Sequence, residues 1–117
     1  DIINVSATTV IGRTSYFYLG AGGANLTFAG TTGLGGSTTA FYLTSNGATT
    51  INFAGAKILG KGSARFNTGT QTITTSLATS FSNSFTFYGG TGSNNFQGSA
   101  LGTFSNLLFI GTWTITP

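Results

Sequence analysis

Cysteine, histidine and methionine are absent from this chain of 117 residues, which holds one Asp or Glu, four Lys or Arg and a single proline. Without cysteine no disulfide braces the fold, and the thiol content is compatible with an oxidising setting without establishing one. General acid–base catalysis needs a titratable group poised near neutrality, usually His or a carboxylate. The one carboxylate side chain is Asp1, so no carboxylate pair and no Asp–His pair can form within the chain. Zinc, calcium and iron sites need several converging Cys, His or carboxylate ligands. The sequence therefore predicts a protein that is not an enzyme, with no catalytic residues, no cofactor and no metal.

Charge is equally scarce. The net charge is +3, but the cations are only Arg13, Lys57, Lys61 and Arg65. Phosphate backbones are gripped by many clustered Lys and Arg side chains, so no nucleic-acid partner is expected. Lys57, Lys61 and Arg65 lie four apart and would form one stripe on a helix, yet Gly60 and Gly62 between them argue for strand or turn. On that reading the cations form a solvated edge that discourages unwanted strand pairing.

Long apolar runs are missing too. Mean hydropathy is +0.25, but the longest apolar stretches, such as Leu107–Ile110, fall far short of the ~20 residues of a transmembrane helix. No transmembrane segment is expected. The opening residues carry neither a basic nor an apolar leader, so the sequence reads as a mature product without a signal peptide. Surfaces of ordinary cytosolic proteins mix many charges of both signs; their scarcity here predicts an extracellular location, or a cell or particle surface.

What is present is a β-sheet composition: 19 Gly, 23 Thr and 12 Ser, with 11 Phe, 4 Tyr and 1 Trp as bulk. The length suits one domain with a continuous core. Within it the sequence repeats. Phe17-Tyr18-Leu19 leads through a Gly-rich turn to Phe28-Ala29-Gly30, and Phe41-Tyr42-Leu43 leads through Asn46-Gly47 to Phe53-Ala54-Gly55. Fainter copies begin at Phe66, Phe87 and Phe109, so the anchor phenylalanines are spaced by 24, 25, 21 and 22 residues. A third element opens on Leu-Gly and closes on Ser at Leu34-Gly35, Leu59-Gly60 and Leu101-Gly102, with Leu77 to Ser82 a looser relative.

Units of 21 to 25 residues with three short apolar pieces describe one coil of a parallel β-solenoid, which must stack on neighbours to bury its apolar face; about five coils span the chain. The fold class is thus all-β, with a solenoid favoured because the Leu-Gly element keeps step with the others. The alternative is an antiparallel β-sandwich or jelly roll, for which Asn46-Gly47 is a hairpin signal. Residues 1–11 stand outside the repeat as a period-two strand, and residues 12–117 form the β domain. The N-terminal strand is either an edge of its own domain or a strand donated to a neighbouring subunit, since strand addition joins backbone hydrogen bonds to side-chain pockets.

The runs Gly102-Thr103-Phe104-Ser105-Asn106-Leu107-Leu108-Phe109 and Asn67-Thr68-Gly69-Thr70-Gln71-Thr72-Ile73-Thr74 resemble coils of secreted bacterial β-helical adhesins and surface repeat proteins. The composition, with its apolar N-terminal strand, is similar to that of β-rich subunits of prokaryotic extracellular filaments that join by donor-strand exchange. Both resemblances imply structural or adhesive work and transfer no catalytic residue. The Asp-rich calcium-binding nonapeptide of some solenoids is missing, so a calcium role is not implied.

Other candidate sites are few. Asn4-Val5-Ser6 and Asn25-Leu26-Thr27 satisfy the N-glycosylation rule at Asn4 and Asn25. Gly20 to Gly23 has no phosphate-loop context and reads as a turn. Lys61 with Ser63 lacks the supporting groups of a nucleophile pair. Thr-x-Thr stretches at Thr70 to Thr74 and Thr112 to Thr116 invite comparison with ice-binding hydroxyl rows, but aligning the repeats brings Thr27, Asn52, Thr74 and Gln97 together, which is not a Thr ladder. Tyr16, Tyr18, Tyr42, Tyr88 and Trp113 serve either as core or as stacking platforms for sugar rings.

A chain this apolar and this poor in charge lacks the ordinary defence against association. The expected function is that of a structural subunit self-assembling into an extracellular filament or surface array, its partners being copies of itself. Ile3, Val5, Val10 and Ile11 would supply one side of the assembly interface, Trp113 and Ile115 the other. The alternative is a carbohydrate-binding adhesin or viral fibre or capsid domain, with surface glycans as partners.

Overall fold

The computed structural model describes residues 2–5, 10–11, 14–29, 33–34, 40–55, 57–58, 60–76, 79–98 and 106–116. They are strands and turns, with no helix among the described residues. In chain order the strands are β1 (Ile2–Val5), β2 (Val10–Ile11), β3 (Ser15–Leu19), β4 (Ala24–Ala29), β5 (Gly33–Leu34), β6 (Ala40–Ser45), β7 (Thr49–Ala54), β8 (Lys57–Ile58), β9 (Lys61–Phe66), β10 (Gln71–Ser76), β11 (Ser80–Phe81), β12 (Phe85–Tyr88), β13 (Asn94–Gln97), β14 (Leu107–Ile110) and β15 (Thr114–Thr116).

Every third strand joins the same sheet. A six-stranded sheet runs β1-β4-β7-β10-β13-β15, a four-stranded sheet β11-β8-β5-β2 and a five-stranded sheet β14-β12-β9-β6-β3. All their ladders are parallel. The protein is a three-sided parallel β-solenoid. The antiparallel contact between Ala29 and Gly55 is an isolated bridge and not a ladder, so the sandwich alternative does not hold. Asn46-Gly47 is the corner between β6 and β7, which belong to different sheets, and not a hairpin turn.

The solenoid makes about four turns, each giving a strand to all three sheets; the sequence had predicted about five. The fifth anchor, Phe109, lies on β14, which with β13 and β15 continues two of the sheets beyond those turns. The Leu101-Gly102 copy of the third element lies outside the described residues.

Alternation within each strand sets the core. In the six-stranded sheet Ile3, Leu26, Ile51, Ile73, Phe96 and Ile115 form one continuous ladder. Beside it Phe28 and Phe53 pair and stack at 5.6 Å between ring centroids. In the five-stranded sheet Phe87 pairs with Phe109, and their rings stack at 5.4 Å. Burial of such a side chain contributes about 1.5–3 kcal/mol, and a favourable aromatic pair adds ~0.5–1.5 kcal/mol. All described phenylalanines belong to this core or pack against it.

The anchor phenylalanines do not share one ladder. Phe17, Leu43, Ala64, Phe87 and Phe109 stand in register, while Phe41 pairs with Gly62 and Phe66 with Ser45. Each departure is a slip of two residues, which keeps a side chain on the same face and is invisible to an inside–outside pattern. Volume decides between the registers. Gly62 sits between Phe41 and Phe85, whose rings come within 6.1 Å of each other, and a Cβ on Gly62 would lie 1.8 Å from the Phe41 carbonyl oxygen. The Leu-Gly element is shifted as well: Leu34 pairs with Ile58 rather than Leu59, and Ile58 with Phe81. Ile58 and Phe81 are the buried residues there.

Polar side chains close the corners between the five- and six-stranded sheets. The first residues of β7, β10 and β13 are the buried Thr49, Gln71 and Asn94. Thr49 Oγ1 donates to Ser45 Oγ at 2.5 Å, Gln71 Nε2 to the Thr68 carbonyl at 2.7 Å, and Asn94 Nδ2 to the Thr112 carbonyl at 3.0 Å. These bonds pair the donors of buried polar side chains, as burial away from water requires. Gly69 permits its corner: its φ is +82°, and a Cβ there would lie 2.7 Å from the Ala48 nitrogen.

Candidate functional site

Beside the four-stranded sheet, the described residues present the outer face of the six-stranded sheet, the outer face of the five-stranded sheet, and the two ends of the stack. The first is polar from β4 to β15, where its two outward rows read Asn25, Thr50, Thr72, Asn95, Thr114 and Thr27, Asn52, Thr74, Gln97, Thr116; on β1, Ile2 stands opposite Asn25 and is 78% exposed. The second row has the composition the aligned repeats predict, with amides interrupting the hydroxyls. Thr74 Oγ1 donates to Asn52 Oδ1 at 3.2 Å, so these groups bond partly to one another. The candidate glycosylation residue Asn25 is exposed on β4, whereas Asn4 is on β1 opposite Thr27.

The five-stranded sheet is different outside. Its outward rows read Tyr16, Tyr42, Ser63, Thr86, Leu108 and Tyr18, Thr44, Arg65, Tyr88, Ile110. All four tyrosines of the sequence lie here. Tyr18 and Tyr16 are 76% and 59% exposed. Tyr16 stacks on Tyr42 at 5.2 Å and lies parallel to Tyr18 at 6.2 Å, with 1° between the two planes. The Arg65 guanidinium lies 4.1 Å from the centroid of the Tyr88 ring. Between the rows runs a cleft of about 290 Å³ bordered by Tyr16, Tyr18, Tyr42, Ser63 and Arg65. Trp113, grouped with these aromatics in the sequence reading, is instead packed against Phe66, Phe87 and Phe109, with Nε1 donating to the Ile110 carbonyl at 3.0 Å.

The cations do not guard an edge. Lys61 and Arg65 are exposed on β9, which is paired on both sides, with β6 and β12. Lys57 is on β8 of the four-stranded sheet, and Arg13 lies outside the described residues. Among the described residues no three His, Cys, Asp or Glu come together, and no helix is long and apolar enough to cross a membrane.

The predicted assembly residues separate into two groups at opposite ends. Ile3 and Val5 lie on β1, opposite Leu26 and Phe28, and Val10 and Ile11 form β2, opposite Gly33 and Leu34. Residues 1–11 thus supply strands to the first turn, and β1 pairs with β4 of its own chain. Trp113 and Ile115 belong to the last turn. Ile115 continues the inner ladder from Phe96 yet is 46% exposed, while the same ladder is fully covered at Leu26, Ile51 and Ile73. Sequence reasoning did not separate the tyrosines from the phenylalanines; the signal was the position of the tyrosines at alternate residues of the FYL-type strands.

Comparison of the chain with protein-family models, with curated proteins and with solved structures returned no match.

Proposed function

We propose that the protein is a non-enzymatic structural subunit that joins copies of itself end to end, outside the cell or on a cell or particle surface, through β-strand contacts. The observation that carries this reading is the inner ladder of the six-stranded sheet. It starts at Ile3 on β1 and ends at Ile115 on β15, and among the described residues both strands have one edge without a partner in their sheet. Such an edge presents a row of backbone donors and acceptors ready to pair. Laying β1 of one copy beside β15 of another would continue the ladder from Ile115 to Ile3 and cover the apolar surface of both. Because the stack is parallel, its ends differ. The contact is heterologous and does not close on itself, which yields a filament.

Sedimentation velocity and negative-stain microscopy of the purified chain test this. Polymers are expected for the wild type, and Ile115→Lys and Ile3→Lys should each shorten them to monomers or dimers while far-UV circular dichroism stays β-rich. A wild type that remains monomeric at high concentration, or polymers that survive both substitutions, refutes the proposal. Substitution is sharper than deletion of residues 1–11, which would remove β1 and β2 and lay bare another strand edge on β4.

A further inference from the structure

We infer that the outer face of the five-stranded sheet binds an anionic polysaccharide, with sugar rings against Tyr16, Tyr18 and Tyr42 and an acidic group against Arg65. This inference concerns the side of the solenoid and is independent of contacts at its ends.

Three observations carry it. The first is placement. The solenoid needs no aromatic residue on an outer face, as the Thr, Asn and Gln rows of the six-stranded sheet demonstrate, yet every tyrosine is on one outer face and the most exposed ring is 76% accessible. The second is order. Tyr16 stacks on Tyr42, and Tyr16 and Tyr18 are parallel, on strands held by parallel ladders on a packed core. Rings fixed in this way present contact area with little entropy left to lose on binding.

The third observation is charge. Arg65 borders the same cleft, and its guanidinium lies 4.1 Å from the centroid of the Tyr88 ring, a cation–π contact that keeps it at this face. The one carboxylate side chain in the sequence is Asp1, so the cations of this face outnumber any acidic side chain that could neutralise them. A guanidinium offers paired N–H donors to a carboxylate or sulfate. Lys61 is on the same face of β9, four residues or about 13 Å from Arg65, so a polymer along the strand meets two cations in succession. Aromatic rings with a cation also suit single-stranded nucleic acid, but that grip needs a basic groove tracking many phosphates, and the described residues of this face offer two cations, Lys61 and Arg65.

Electrophoresis of the full chain through native gels containing polygalacturonate, heparin, neutral dextran or oligo(dT) tests the inference. Retardation is expected in polygalacturonate or heparin, the two distinguishing carboxylate from sulfate, and not in dextran. The double variant Tyr16→Ser/Tyr18→Ser keeps the net charge and should weaken binding by about tenfold or more, as should Arg65→Gln. Lys57→Gln removes the same charge from another sheet and should weaken binding less than about twofold. The Tyr16→Ser/Tyr18→Ser and Arg65→Gln variants should melt within a few degrees of wild type, since those side chains are exposed. Binding unchanged in the tyrosine variant, equal weakening by Lys57→Gln and Arg65→Gln, retardation by dextran, or tighter binding to oligo(dT) would each overturn it.

Discussion

The six-stranded and five-stranded sheets are built on the same plan and differ where the plan leaves them free. Inside, both present stacked apolar residues: Leu26, Phe28, Ile51 and Phe53 in one, Phe41, Leu43, Phe85 and Phe87 in the other, all buried. Outside, one carries Thr, Asn and Gln from β4 to β15, with Ile2 on its first strand, and the other carries Tyr, Arg, Leu and Ile among Ser and Thr. Packing dictates the first set, because a coil that cannot cover its inner face has no other source of stability. It does not dictate the second, since hydroxyls and amides suffice for an outer face in this same molecule. The difference between the outer faces therefore reports on what each face meets rather than on what holds the fold.

The largest effect should come from the shared inside. Phe53→Ala and Phe87→Ala each remove a fully buried ring and should cost about 3–5 kcal/mol of unfolding free energy, measured by chemical denaturation of monomeric protein. Near-equal losses support the common plan. A loss confined to one sheet would break it. A smaller effect tests the volume rule that set the register. Gly62→Ala places a Cβ against the Phe41 carbonyl and should cost about 1–3 kcal/mol. At Gly20, where a Cβ meets nothing within 4 Å, alanine should be neutral or stabilising by up to ~1 kcal/mol. The smallest effect belongs to the outer faces: Tyr18→Thr and Asn52→Thr should each change stability by under about 0.5 kcal/mol. A marked destabilisation by Tyr18→Thr would show that the tyrosine row serves the fold after all.

Much of the architecture was legible because stacked coils repeat their chemistry. Phe28-Ala29 and Phe53-Ala54 were aligned as the structure pairs them, and the row Thr27, Asn52, Thr74, Gln97 follows from the same alignment. The FYL motifs misled by two residues. In the structure Tyr16, not Tyr18, is opposite Tyr42, since matching identical letters ignores the neighbouring coil that must fit between two large rings. The basic residues misled for a related reason: whether β9 is an edge depends on β6 and β12, which lie 21 and 23 residues away. The aromatic face was legible only as a list of tyrosines, because Phe and Tyr alternate along a strand without stating which of them points inward.

By itself the sequence determined that this chain is all-β and built of repeating coils of a little over twenty residues. Those conclusions follow from local composition and from a repeat length that every coil must share. Only the tertiary structure decided the register of each ladder, the gathering of Tyr16, Tyr18, Tyr42 and Arg65 beside one cleft, and the placement of Ile3 and Ile115 at opposite ends of one ladder. A two-residue slip leaves the inside–outside pattern unchanged, and the volumes of side chains from three successive coils are what distinguish one slip from another.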